Sequence, residues 1–279
     1  MVQELTSSIT SITFISKLTY MNFDLNYISI GKGEPLIFQH GLGADVSQTE
    51  RLLSGLEGMR IISMDCRGHG KSTLPDDYIP SFNTYTDDLV RLMDHLGIER
   101  AVFGGISMGS GITLNMTLRY PERVKGLILV RPAWLDQGRP ANLEILLDVA
   151  KLINEPDGQA KFEQTEAFQD IQSALPSAAA SVLGQFSSNQ GTARTRILIN
   201  MFEDAPINNL ADLAKIEQPS LVIANDDDPL HPFDFATVID ADLPNSEIHK
   251  VVSRYVDDEK HRLQVRELVT SFLDRNLLK

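Results

Sequence analysis

Residues Ala101 to Gly111 read A-V-F-G-G-I-S-M-G-S-G. The stretch opens as a strand and closes as a helix. Ala101-Val102-Phe103 is a short apolar run bounded by Gly104 and Gly105, the pattern of a buried strand. Met108 to Leu118 then reads as a helix packed at close quarters. Between them lies Gly105-Ile106-Ser107-Met108-Gly109, a G-x-S-x-G pattern. A serine on so tight a strand-to-helix turn is held in strained backbone geometry, with its hydroxyl pointed into a cleft. The residues two before and two after it must be small, or their side chains collide. The helix that follows aims its positive end at whatever the serine attacks. Ser107 is therefore the candidate nucleophile.

The same alternation extends in both directions. Upstream, Pro35 to Gln39 is a short buried strand running into His40-Gly41-Leu42-Gly43. A helix is expected near Gln48 to Leu56. Arg60 to Met64 is a strand ending at Asp65-Cys66-Arg67-Gly68-His69-Gly70-Lys71-Ser72. Ser81 to Gly97 contains a helix, with Tyr85, Leu89, Leu92, Met93 and Leu96 at helical spacing. Thr84 with Asp87 resembles a capping box, and Gly97 suits the stop. Downstream, Val124 to Val130 is a strand. From Trp134 to Glu217 helical patterns replace the rhythm, with a polar loop or helix end expected over Gly184 to Arg194. The rhythm returns with a strand at Pro219 to Ala224, a helix at Pro232 to Asp240 and a strand at Glu247 to Val252. A last helix over His261 to Leu278 puts Val265, Leu268, Val269, Phe272 and Leu273 on one face. Ile9 to Ile15 and Leu25 to Ile30 suit antiparallel strands, since no helix separates them. The expected architecture is α/β, with a mostly parallel central sheet and helices on both faces. Residues 1–133 and 218–279 form its core. Residues 134–217 are expected as an inserted helical cap over the carboxyl ends of the strands, where such sheets bind ligands.

Composition narrows the partners. The chain has 279 residues and a formal net charge of -13. That surface repels phosphate backbones and anionic lipid, so neither nucleic acid nor a membrane is an expected partner. No apolar run reaches the roughly 18 residues that span a bilayer. Met1 to Ser16 lacks the basic and apolar regions of a secretory signal. Cys66 is the only cysteine, which fits a reducing cytoplasm and excludes an internal disulfide or a cysteine zinc site. With no H-x-x-x-H or Cys/His cluster, neither a metal nor a cofactor is expected. Oligomeric state is not legible.

Four motifs in order, His40 to Gly43, Asp65 to Ser72, Gly105 to Gly109 and Asp228 to Pro232, followed by a late histidine, resemble the α/β-hydrolase superfamily. The resemblance spans residues 40–261 and implies an α/β-hydrolase fold with a Ser-acid-His triad in that chain order. It implies Ser107 as nucleophile. It implies Asp228, before Pro229, as the acid in preference to Asp227, with Asn225 where glycine is usual. It implies His261 as the base in preference to His249, although Lys260 stands where the family has glycine. The N–H groups of Leu42 and Met108 are the implied oxyanion hole. His40 reads as a brace for its loop, and Arg67 and His69 as parts of a hydrogen-bonded turn. Trp134, where the cap leaves the core, is a candidate substrate contact. His231 follows the acid turn without an assigned role.

The expected activity is hydrolysis of a small ester or lactone through an acyl-enzyme. The Ser-Met-Gly context looks like esterases and enol-lactonases of the superfamily. A carbon–carbon bond hydrolase of ring-cleavage products and a ligand-binding, receptor-like member of the fold are the alternatives.

Overall fold

The computed structural model describes residues 13–20, 23–187 and 191–277. The strands are β1 (Thr13–Tyr20), β2 (Phe23–Gly31), β3 (Glu34–Gln39), β4 (Met59–Met64), β5 (Ala101–Ile106), β6 (Val124–Val130), β7 (Ser220–Ala224) and β8 (Ser246–Lys250). They form one sheet in the order β1-β2-β4-β3-β5-β6-β7-β8. The pairs β1·β2 and β2·β4 are antiparallel and every later pair is parallel. This is the expected α/β-hydrolase fold. The strand expected over Ile9 to Ile15 begins at Thr13, and residues 9–12 lie outside the described residues.

The helices are α1 (Val46–Leu53), α2 (Phe82–His95), α3 (Met108–Arg119), α4 (Ile145–Leu152), α5 (Gly158–Phe162), α6 (Glu166–Ala174), α7 (Pro176–Leu183), α8 (Gly191–Glu203), α9 (Phe233–Asp242) and α10 (Asp258–Asn276). Strand side chains alternate between two cores. Phe103, Leu127 and Leu129 face one apolar cluster with α2 and α3, while Val102, Ile128 and Val130 face a second with α1 and α10. Burial on both faces is why these strands read as continuous apolar runs.

Two helix starts differ from expectation. The capping box of α2 is Ser81 with Thr84: Ser81 Oγ accepts the Thr84 N–H at 3.0 Å, and Thr84 Oγ1 accepts the Ser81 N–H at 2.9 Å. Asp87 instead accepts a hydrogen bond from Arg119 at 2.7 Å. The last helix begins at Asp258, because the Asp257 carboxylate caps the Lys260 N–H at 2.9 Å and Asp258 and Glu259 favour the first turn. Within the stretch expected as a loop, Gly184–Ser187 is a 3-10 turn and α8 begins at Gly191; residues 188–190 lie outside the described residues.

Between β6 and β7 the chain is helical. Its second half is tied firmly to the sheet and its helices. Arg196 of α8 donates to the carbonyls of Asp76 (2.9 Å) and Tyr78 (2.6 Å), and Trp134 Nε1 donates to the Met201 carbonyl at 3.2 Å. Asp204 accepts the Phe82 N–H at 2.7 Å, and Asn115 donates to the Pro206 carbonyl at 2.8 Å. From residues 155–187, by contrast, the described side-chain hydrogen bonds to the rest of the fold are Ser177 Oγ to the Tyr255 carbonyl (2.8 Å) and Gln185 Nε2 to the Leu42 carbonyl (3.4 Å). Among the described residues no helix is long and apolar enough to cross a membrane.

Candidate active site

Parallel strands deliver their following residues to one edge of the sheet. Gly41 and Leu42 follow β3, Ser107 follows β5, Arg131 follows β6 and Asp228 follows β7. Ser107 has φ 57 and ψ -114, a strained conformation for a residue with a Cβ. The two flanking glycines are required by contact. A Cβ on Gly105 would lie 2.3 Å from the Gly109 carbonyl carbon, and one on Gly109 would lie 2.2 Å from the Gln39 carbonyl oxygen. Gly109→Ala is therefore expected to lose about 3 kcal/mol or more of stability in urea unfolding, because the obstacle is backbone. Gly184→Ala, with nothing within 4 Å, is the control and should stay within about 0.5 kcal/mol of the native protein.

Ser107 lines a cavity of about 240 Å³ together with Leu42, Trp134, Arg131, His231 and Arg254. Of the three consecutive aspartates, Asp226 and Asp227 are exposed and Asp228 is buried. Asp227, at φ 52, takes the left-handed conformation in this turn. Asp228 Oδ1 accepts the His231 Nδ1–H at 2.8 Å, and Oδ2 accepts from Arg131 Nη1 at 3.0 Å. Burial alone would raise the Asp228 carboxyl, but the charges and hydrogen bonds of His231 and Arg131 outweigh it and hold it below the usual carboxylate range. The His231 imidazole is held below its ordinary value by burial, against the pull of Asp228. It is thus neutral at pH 7, with the proton on the nitrogen facing the carboxylate and Nε2 left as an acceptor.

The structure does not bring His261 to Asp228. Because α10 starts at Asp258, His261 lies inside its first turn, where its N–H bonds the Asp257 carbonyl at 2.9 Å. Its Nδ1 donates to the Val252 carbonyl at 2.8 Å, and it lines a separate small hollow behind the Ser107 cavity. His249 is partly exposed on β8, 3.7 Å from Glu247. The acid and a histidine do meet, but the histidine is His231, three residues along the same turn. The sequence carried that signal: Asp228-Pro229-Leu230-His231 lets the turn fold the imidazole back onto the carboxylate.

Burial, then Arg131, push the His261 pKa down to about 4. Between that value and the unfolded 6.5, the unfolded chain binds a proton that the folded chain does not, so stability falls as pH drops through this window. His261→Gln should remove about 3 kcal/mol of that acid sensitivity, read as the native-minus-variant difference in unfolding free energy between pH 7 and pH 4.

The remaining expected positions are placed as follows. Trp134 lines the cavity, but its ring packs edge-on against Phe82 at 5.5 Å. His40 braces its loop: Nε2 accepts the Cys66 N–H at 3.0 Å and Nδ1 donates to the Gly41 carbonyl at 2.8 Å. Arg67 is buried and bidentate to Asp88 at 2.6 and 2.8 Å, and His69 stacks against His40. Met108 opens α3, where the first N–H groups have no intrahelical acceptor. Arg131 and Arg254 were missed altogether.

A family model for the alpha/beta hydrolase fold matches residues 34–257, and the chain belongs to that family. A putative non-heme haloperoxidase of Mycobacterium phage D29 is 34% identical over 114 residues, and the match spans 40% of that relative's length. A 2-hydroxy-6-oxo-6-phenylhexa-2,4-dienoate hydrolase of Burkholderia cepacia is 26% identical over 260 residues, 88% of this chain and 90% of that one. The crystal structure of the enol-lactonase from Burkholderia xenovorans LB400 shares the fold with a TM-score of 0.73 at 20% identity, covering 93% of this chain and 100% of that one.

Proposed function

We propose that the chain is a serine hydrolase that cleaves a small ester or lactone through an acyl-enzyme. The observation that carries this reading is Ser107, strained at the head of α3 and opening onto the cavity that His231, hydrogen-bonded to Asp228, also lines. His231 Nε2 takes the Ser107 proton as the hydroxyl attacks the carbonyl. Asp228 holds the imidazole in the accepting tautomer and stabilises the imidazolium that forms. The N–H groups of Leu42 and Met108 receive the oxyanion. The proton returns to the leaving group, and water activated by the same histidine releases the acid. Residues 134–217 act as a cap that shapes the acyl pocket, with Trp134 as one wall. The partner is a small molecule. The single thiol, Cys66, is buried and free, which supports a reducing cytoplasm.

A fluorophosphonate probe followed by peptide mapping tests this directly: the adduct is expected on Ser107, and an adduct elsewhere overturns the reading. The relative from Burkholderia cepacia, matched over most of both chains, favours carbon–carbon bond hydrolysis as a second reading on the same residues. A panel of p-nitrophenyl esters, lactones and vinylogous 1,5-diketones separates the two.

A further inference from the structure

Two guanidinium groups in the Ser107 cavity have no contact with the substrate in the chemistry above, although one of them bonds Asp228. Arg131 is 3% exposed and sits at φ 50. Its Nη1 bonds Asp228, but its buried Nε has no partner among the described residues. Arg254, half-buried between β8 and α10, lines the same cavity. Its guanidinium carbon lies 5.4 Å from the Tyr255 ring centre, and it makes no ion pair among the described residues. The hollow behind is lined by Arg51, Arg131, Arg254 and Arg262. There, Asp258 is shared between Arg262 at 3.2 Å and Arg51 at 3.7 Å. The four guanidinium groups thus have two carboxylates between them, Asp258 and Asp228, while His231 and His261 are neutral. The cleft thus carries an excess positive charge in a chain whose net charge is -13. Burial, and then the nearness of Arg131, lower the Arg254 pKa, against a smaller opposing pull from Asp258.

We propose that Arg131 and Arg254 bind a carboxylate of the substrate, so that the enzyme acts on acyl compounds that carry a free carboxylate. The excess positive charge favours an anion, and guanidinium forks suit the planar carboxylate. Leu42, Leu143, Leu146 and Val182 line the rest of the cavity and take the hydrocarbon part between the carboxylate and the scissile carbonyl. The substrate class rests on Ser107 being the attacking group; the carboxylate site itself does not.

The test therefore has a binding arm and a kinetic arm. In calorimetry at low ionic strength, the native protein is expected to bind glutarate at least about tenfold more tightly than neutral glutaramide. Mono-p-nitrophenyl glutarate should be hydrolysed with a kcat/KM at least about tenfold above that of its methyl ester. Arg254→Gln should abolish both preferences and Arg254→Lys restore part of them, with unchanged melting temperature showing that each variant is folded. Equal binding of glutarate and glutaramide, or tighter binding of inorganic phosphate than of glutarate, overturns the carboxylate site. Glutarate binding without turnover of any ester supports the site and sinks the Ser107 reading. Turnover of p-nitrophenyl acetate without a glutarate preference does the reverse.

Discussion

Ser107→Ala is expected to lower kcat on p-nitrophenyl acetate by about 10⁴-fold or more while leaving the fold intact. The hydroxyl is the only group on the β5–α3 turn that can form the acyl bond, and backbone donors with binding alone retain only a small residual rate. Stability should barely change, because the Ser107 side chain makes no capping hydrogen bond to α3. Ser107→Gly is informative beside it. Glycine adopts φ 57 without strain, so this variant should be equally inactive yet more stable by roughly 1 kcal/mol. An inactive protein that is also stabilised places the strain at the attacking residue. An Ala variant with half the native rate would remove Ser107 from the mechanism.

The second large effect separates two histidines. His231→Gln is expected to reduce kcat/KM by about 10³-fold or more, since a positioned base and its tautomer are lost together. His261→Gln should stay within a few-fold of native, because that ring donates to the Val252 carbonyl outside the Ser107 cavity. The native pH–rate profile should rise through one ionisation below the ordinary histidine value of about 6.5, since burial holds the His231 imidazole low. It should then be flat towards pH 8. The opposite result, inactive His261→Gln and active His231→Gln, would restore the late histidine as base.

How much of this was legible depends on how local each cause is. Strands β3 to β6 are apolar runs closed by glycine or polar turns, and their bounds fell within a few residues of those read from the sequence. The G-x-S-x-G turn was equally plain, because its requirement is steric and confined to five residues. Of the three consecutive aspartates, the one singled out before Pro229 is the buried one, while the other two face solvent. The late histidine stands elsewhere than the sequence reading expected, for a reason visible at Asp257. That cap starts the last helix three residues before His261, so a histidine expected in a loop is held in a helical turn. Arg131 and Arg254 escaped notice because only tertiary folding brings them together. They are separated by more than a hundred residues and follow different strands, and neither belongs to a recognisable motif.

The uneven tethering of the helical segment between β6 and β7 has a consequence for traffic. Helix α8 is bolted to the body by Arg196 and the bonds at Met201 and Asp204, whereas residues 155–187 are joined to it by the amide of Gln185 and the hydroxyl of Ser177. A bulky guest is therefore expected to enter from the α5–α7 side, where the buried packing of Phe162, Phe168 and Val182 must also give way. Selection by size is then set by how readily that packing and its two polar fastenings yield.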